Sequence, residues 1–152
     1  MVLRLTERPV TSLSQTQESR LDAMIFNTEI VAVALQPDGI QIELPASTFH
    51  INRIKDYYGA IGNNCDFVTP VTLQHTAPRL TMWVDEDARL YTPRTPVNQF
   101  ASIIMASFTH HTVDIVGTVI YTGAVGNRIH PLPPVYLAQL REIEKQRQVI
   151  QP

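Results

Sequence analysis

Residues 30–44 read I-V-A-V-A-L-Q-P-D-G-I-Q-I-E-L, and their reading decides the fold. Glu29 to Leu35 is an apolar run of strand length, and Ile40 to Leu44 alternates apolar and polar residues with a period of two. Between them stand Gln36, Pro37, Asp38 and Gly39. Proline presets the first central residue of a turn, aspartate bonds its own local backbone, and glycine accepts a positive φ. Two strands flanking such a turn make a β-hairpin.

The pattern extends downstream. Ser47 offers an N-cap oxygen to a helix running to about Ala60, with Phe49, Ile51, Ile54, Tyr57 and Tyr58 at helical spacing and Gly59 or Gly62 to end it. Phe67 to Leu73 reads as a strand that Pro70 confines to a sheet edge or a bulge. Leu80 to Val84 alternates again, and Arg89-Leu90-Tyr91 is a short return strand. Thr95-Pro96 opens a second helix with Thr95 as cap and Pro96 in the first helical position, where its missing N–H costs nothing. Val97, Phe100, Ala101, Ile104 and Phe108 share one face of it. The near-continuous apolar run from Val113 to Tyr121 predicts a strand at the centre of the sheet. A proline-rich linker, His130 to Pro134, precedes a charged last helix with Tyr136, Leu140, Ile143 and Ile150 along one side.

These elements predict an α+β fold: a single antiparallel or mixed sheet of five to six short strands, two helices on one face, and a C-terminal amphipathic helix. The organisation expected is a flexible N-terminal arm over 1–22, an α+β domain over 23–130, and the linker with its helix over 131–152. At 152 residues with 44% hydrophobic content, the chain is long enough to bury a core. A formal net charge of -2 and the lack of a Lys/Arg run argue against a dedicated nucleic-acid binder. The single cysteine, Cys65, rules out an intramolecular disulfide and multi-cysteine zinc motifs. No stretch has the length of a signal peptide core or a spanning helix, so a cytoplasmic protein without a membrane partner is expected.

The residues that carry chemistry are few. Asp85-Glu86-Asp87 sits between two strand patterns, lacks the alternate spacing of a calcium loop, and reads as a hairpin tip. Asn98, at the start of the second helix, either locks helix to hairpin or faces a ligand at the helix terminus. In the second case Arg94, Tyr91 and His111 are the candidates to line the same groove. His110 and His111 are adjacent, and His50, His75 and His130 are scattered, so no metal-binding spacing is present. The Gly59-to-Gly62 spacing of a backbone-clamping RNA loop lacks flanking basic residues. The last helix either packs on its own sheet or docks a partner, and Tyr136, Leu140, Ile143 and Arg147 are its protein-binding candidates. No cofactor and no catalytic residue is expected.

Four segments together resemble a known family: I-V-A-V-A-L-Q-P-D-G (30–39), V-D-E-D-A-R-L (84–90), P-V-N-Q-F-A-S (96–102) and D-I-V-G-T-V-I-Y (114–121). Over residues 30–122 the chain is similar to the phage- and plasmid-borne domain-of-unknown-function 3846 family. Asp85, Glu86, Asn98, Ala101 and Gly117 fall on its motif positions, and Ala88 departs from a usual glycine. The resemblance implies an accessory protein of a phage or mobile element in a bacterial cytoplasm, and brings no catalytic residue. The function expected is binding of a host or viral protein, in the service of counter-defence, with a homodimer as a further use of the last helix. The alternative is a small-molecule or nucleotide binder using a pocket near Asn98.

Overall fold

A computed structural model of the chain describes residues 29–62, 65, 67–87 and 95–150. The hairpin is its first element. Strands β1 (Ile30–Leu35) and β2 (Gln41–Pro45) pair antiparallel across the Pro-Asp-Gly turn. The Gly39 amide donates to the Gln36 carbonyl at 2.8 Å, and Asp38 Oδ1 accepts from the Ile40 amide at 3.0 Å. Gly39 has φ 91°, and a Cβ there would stand 2.5 Å from Arg147 Cδ and 2.7 Å from Phe100. Glycine is needed twice over, for its backbone angle and for its size.

Helix α1 (Ile54–Ile61) begins later than the Ser47 cap predicts. Residues 46–48 and 51–52 form turns instead, with the Thr48 and Phe49 amides both donating to the Pro45 carbonyl. Asp56 Oδ2 reaches back to the His50 amide at 2.7 Å. These turns bury Phe49, whose ring meets Tyr57 at 5.0 Å, and Tyr57 meets Trp83 at the same separation. Packing of the aromatic row outweighs the local capping signal.

The remaining elements are β3 (Val68–Gln74), β4 (Leu80–Asp85), α2 (Gln99–Thr109), β5 (Val119–Val125), β6 (Arg128–His130) and α3 (Pro134–Ile150). The strand order is β2-β1-β5-β4-β3 with every pair antiparallel, and β6 folds back on the end of β5. The expected α+β class and six-strand sheet are therefore present. The return strand expected at 89–91 and the N-terminal arm over 1–22 lie outside the described residues.

The central strand starts at Val119 rather than Val113. Gly117, at φ 82°, turns the chain, and residues 115–117 are occupied elsewhere. Ile115 accepts from the Asn98 amide, Gly117 donates to the Pro96 carbonyl, and Val116 forms an isolated bridge with Val97. An apolar run announces burial, and it does not announce where the strand begins. Both edges carry proline, Pro45 on β2 and Pro70 on β3, and the Gln41 amide is taken by Glu144 at 2.8 Å. Such edges offer little to a strand from another chain.

Alternation divides the sheet's side chains between two cores. Val33, Leu35, Met82 and Tyr121 join Ala101 and Ile104 of α2 and Tyr136 and Leu140 of α3. Ala32, Ala34, Trp83 and Ile120 join Phe49 and Tyr57 on the α1 side. Thus α1 covers one face, and α2 and α3 share the other, a different division of the helices from the one the sequence predicts. The proline-rich segment lies against the sheet: the Leu132 amide donates to the Val31 carbonyl at 2.9 Å, and Gly123 leaves room for Pro131 and Pro133. Helix α3 is thereby part of the main core, fixed by Arg141–Glu43 contacts of 2.6 and 2.7 Å and by Gln41 Nε2 donating to the Leu140 carbonyl.

Candidate functional site

Asn98 is the most connected of the residues singled out from the sequence. It, and not Thr95, is the N-cap of α2, because residues 96 and 97 are held extended against 116 and 117. Its Oδ1 accepts from the Ala101 amide at 3.0 Å, in the usual way of a capping asparagine. Both protons of its Nδ2 are also spent, on the Leu35 and Gly117 carbonyls at 2.9 Å each. Its backbone carbonyl accepts from the Ser102 amide and hydroxyl, and Ser102 Oγ in turn accepts from the Ile115 amide. At 0% exposure, the side chain joins helix, hairpin and the approach to β5. This is the locking arrangement of the two readings, and it leaves neither amide proton for a ligand.

Tyr91 and Arg94 lie outside the described residues. His111 is exposed, its amide donating to Thr109 Oγ1 at 3.2 Å. His110 ends α2 in a left-handed conformation at φ 62°, a place glycine ordinarily takes.

The acidic triplet shapes backbone. Asp85 Oδ1 accepts from the Asp87 amide at 3.0 Å, and Glu86 Oε1 from the Thr69 hydroxyl at 2.8 Å. Asp85 and Glu86 border a cavity of about 190 Å³ together with Asp114, a neighbour that sequence spacing does not reveal. Among the described residues no group of three His, Cys, Asp or Glu side chains is arranged to hold a metal ion. Cys65 Sγ lies 3.6 Å from the Phe67 carbonyl.

Two concave regions beside α2 differ in kind. The first is an open depression of about 410 Å³ at the hairpin end, lined by Gln36, Pro37, Asp38, Pro96, Val97 and Thr118. Val97 is 40% exposed, and Ile40 and Ile42, just past the turn, are each 43% exposed. The second is a more enclosed cavity of about 190 Å³ between α2 and α3, walled by Leu80, Ile104, Phe108 and the Tyr136, Leu140 and Ile143 of α3. Those three α3 residues face the chain's own core; Tyr136 donates to the Pro78 carbonyl at 2.6 Å and meets the Phe108 ring at 5.9 Å. Arg147 pairs with Glu144 and packs over Gly39. The apolar stripe of the last helix is thus turned inward in this structure.

Tyr121 borders the second cavity. It is 0% exposed, and its hydroxyl has no hydrogen-bond partner among the described residues. Burial pushes this phenol far above its ordinary pKa, so it stays protonated. A buried hydroxyl left unmade costs about 1–3 kcal/mol. The sequence places Tyr121 in a buried strand, but no pattern says whether an acceptor will face its hydroxyl.

Comparison of the chain with protein-family models, curated proteins and solved structures gave no match. No helix among the described residues is long and apolar enough to cross a membrane.

Proposed function

We propose that this chain is a non-catalytic accessory protein of a phage or mobile element that works by binding a host or viral protein through the hairpin end of its sheet. One observation carries the reading. Val97, 40% exposed, lines the open depression with Pro37 and Pro96, and Ile40 and Ile42, each 43% exposed, follow just past the same turn. Apolar surface gathered in one place favours a protein contact over a bulk-solvent role. The turn beneath it is rigid, so presenting the patch costs little ordering on binding. Asp38 at the rim suits a partner segment with a basic residue beside its apolar ones. The non-catalytic part of the reading is supported by the acids and Asn98, whose side chains bond nearby backbone and hydroxyl groups. The phage or mobile-element origin rests on the resemblance of residues 30–122 alone.

The test is affinity capture from host and infected cells with three proteins: the unaltered chain, the double variant Ile42→Lys/Val97→Lys, and the control Val149→Lys on α3. A protein captured by the first and third and lost by the second supports the reading. Equal capture by all three, or none by any, refutes the hairpin end as the docking face. Self-association abolished by the double variant would assign the patch to a homodimer instead.

A further inference from the structure

We propose that the cavity between the β5–β6 hairpin and the segment entering β4 binds a small monocarboxylic acid with an apolar body, its carboxylate taken by the guanidinium of Arg79. The site lies apart from the Pro-Asp-Gly turn and does not depend on the patch there. The cavity holds about 400 Å³, and Pro78, Arg79, Val125, His130, Pro131 and Pro133 are among its walls. Arg79 is half-buried, and its Nη1 donates to the Gly126 carbonyl at 2.9 Å. Residues 77–79 and 123–126 both line the cavity, so the guanidinium spans from one wall to the other. Its Nε is covered and has no partner among the described residues. Nη2 is neither covered nor bonded among them, and it is the nitrogen left to meet a ligand.

Charge and shape narrow the ligand. Among the described residues no Asp or Glu lines the cavity, and none forms an ion pair with Arg79. A cation partly withdrawn from water and facing no counter-charge is incompletely compensated. A carboxylate supplies that charge and accepts from guanidinium N–H groups in a short, charge-assisted bond. One guanidinium with one free nitrogen suits a single negative charge, whereas a phosphate dianion asks for more donors. His130 is the only other lining residue with a polar side chain, so the body of the ligand meets alanine, valine and proline. The walls are held in place before any ligand arrives. Tyr136 donates to the Pro78 carbonyl at 2.6 Å, the Leu132 amide to the Val31 carbonyl at 2.9 Å, and a Cβ on Gly123 would stand 2.5 Å from the Pro131 carbonyl oxygen. A preformed apolar pocket with few polar groups uses them to orient its ligand.

The experiment titrates two probes of matched shape, benzoate and benzamide, into the full chain at neutral pH and follows the amide NMR shifts of Val125, Gly126 and His130. Benzoate should bind about tenfold more tightly than benzamide, as one hydrogen bond between charged groups allows, and added salt should narrow the gap. In Arg79→Gln the preference should vanish. Val125 is 58% exposed, so Val125→Glu sets an acid beside the cavity without disturbing the core. It should weaken benzoate by about threefold or more and leave benzamide unchanged, and it decides the matter alone if Arg79→Gln does not fold. Val149→Glu, the same change of charge at an exposed site on α3, should leave both affinities as they were. No binding of benzoate to the unaltered chain, equal affinity for the two probes, a preference that survives Arg79→Gln, or benzoate binding indifferent to Val125→Glu would each overturn the proposal.

Discussion

The two ends of helix α2 treat a buried polar side chain in opposite ways. At its N-terminal end Asn98 has both amide protons and its carbonyl oxygen bonded, and the neighbouring Ser102 ties the same backbone again. Toward the other end, Ile104 and Phe108 line a cavity beside Tyr121, whose hydroxyl has no partner among the described residues. Both side chains have 0% exposure, so the difference is not one of burial. It lies in what surrounds them: carbonyls from the end of β1 and the bend at Gly117 converge on Asn98, whereas Tyr121 sits among apolar side chains. A fully satisfied polar group fixes one arrangement of the chain, and an unsatisfied one carries an unrepaid desolvation cost. The α1 side of the sheet offers the same lesson as Asn98, with Trp83 Nε1 donating to Thr122 Oγ1 at 2.9 Å and Tyr57 donating to the Ile51 carbonyl at 2.8 Å.

Removing the tie should have the largest effect. Asn98→Ala orphans the Ala101 amide and two buried carbonyls, and should destabilise the fold by about 3–5 kcal/mol in denaturant unfolding. A loss under about 1 kcal/mol would mean that this end of α2 is no better anchored than the other. Gly39→Ala comes next, since it strains a φ of 91° and drives a methyl into Phe100 and Arg147 over the same end of the helix. A loss of about 2–4 kcal/mol is expected, with a lowered thermal midpoint as the readout.

At the open end the sign should reverse. Tyr121→Phe keeps the ring and deletes a hydroxyl that has no partner among the described residues, so stability should hold or rise by up to about 1 kcal/mol. A clear loss on this substitution would show that the hydroxyl already has a partner, and the contrast between the two ends would fail. The smallest effect belongs to the Glu43–Arg141 pair that holds α3 to β2. The guanidinium of Arg141 keeps the Glu43 carboxyl below its ordinary pKa. A carboxyl lowered by folding contributes stability above its unfolded pKa and loses it as the pH falls through the folded one. Both partners are solvent-accessible, so the effect should stay under about 1 kcal/mol, shrink with added salt, and be absent from Glu43→Gln. Unfolding midpoints at neutral and acidic pH, with and without salt, measure it.

Much of this arrangement is legible along the chain. The hairpin follows from Pro37, Asp38 and Gly39 because each residue's covalent structure prescribes its place in a turn. The alternation in β4 and the apolar run ending at Tyr121 announce buried strands, because side chains of a strand point to opposite faces in turn. Asn98 is legible as a lock for the same local reason: its short amide bonds backbone at helix starts. The start of α1 is not legible, because the burial of Phe49 against Tyr57 overrides Ser47 as a cap. Nor is the face α1 occupies, since an amphipathic stripe says that a helix is covered and not by which side of the sheet.

By itself the sequence determined the elements whose geometry is set within a few residues: the turn, the strand alternation and the acidic turn after β4. The tertiary structure alone decided that α3 belongs to the core, that exposed apolar residues stand at the hairpin end, and that the buried Tyr121 hydroxyl meets no partner among the described residues. The physical reason is range. Turn and capping preferences act through bonds between near neighbours, whereas a cavity or an unpaired hydroxyl is defined by what distant segments fail to supply.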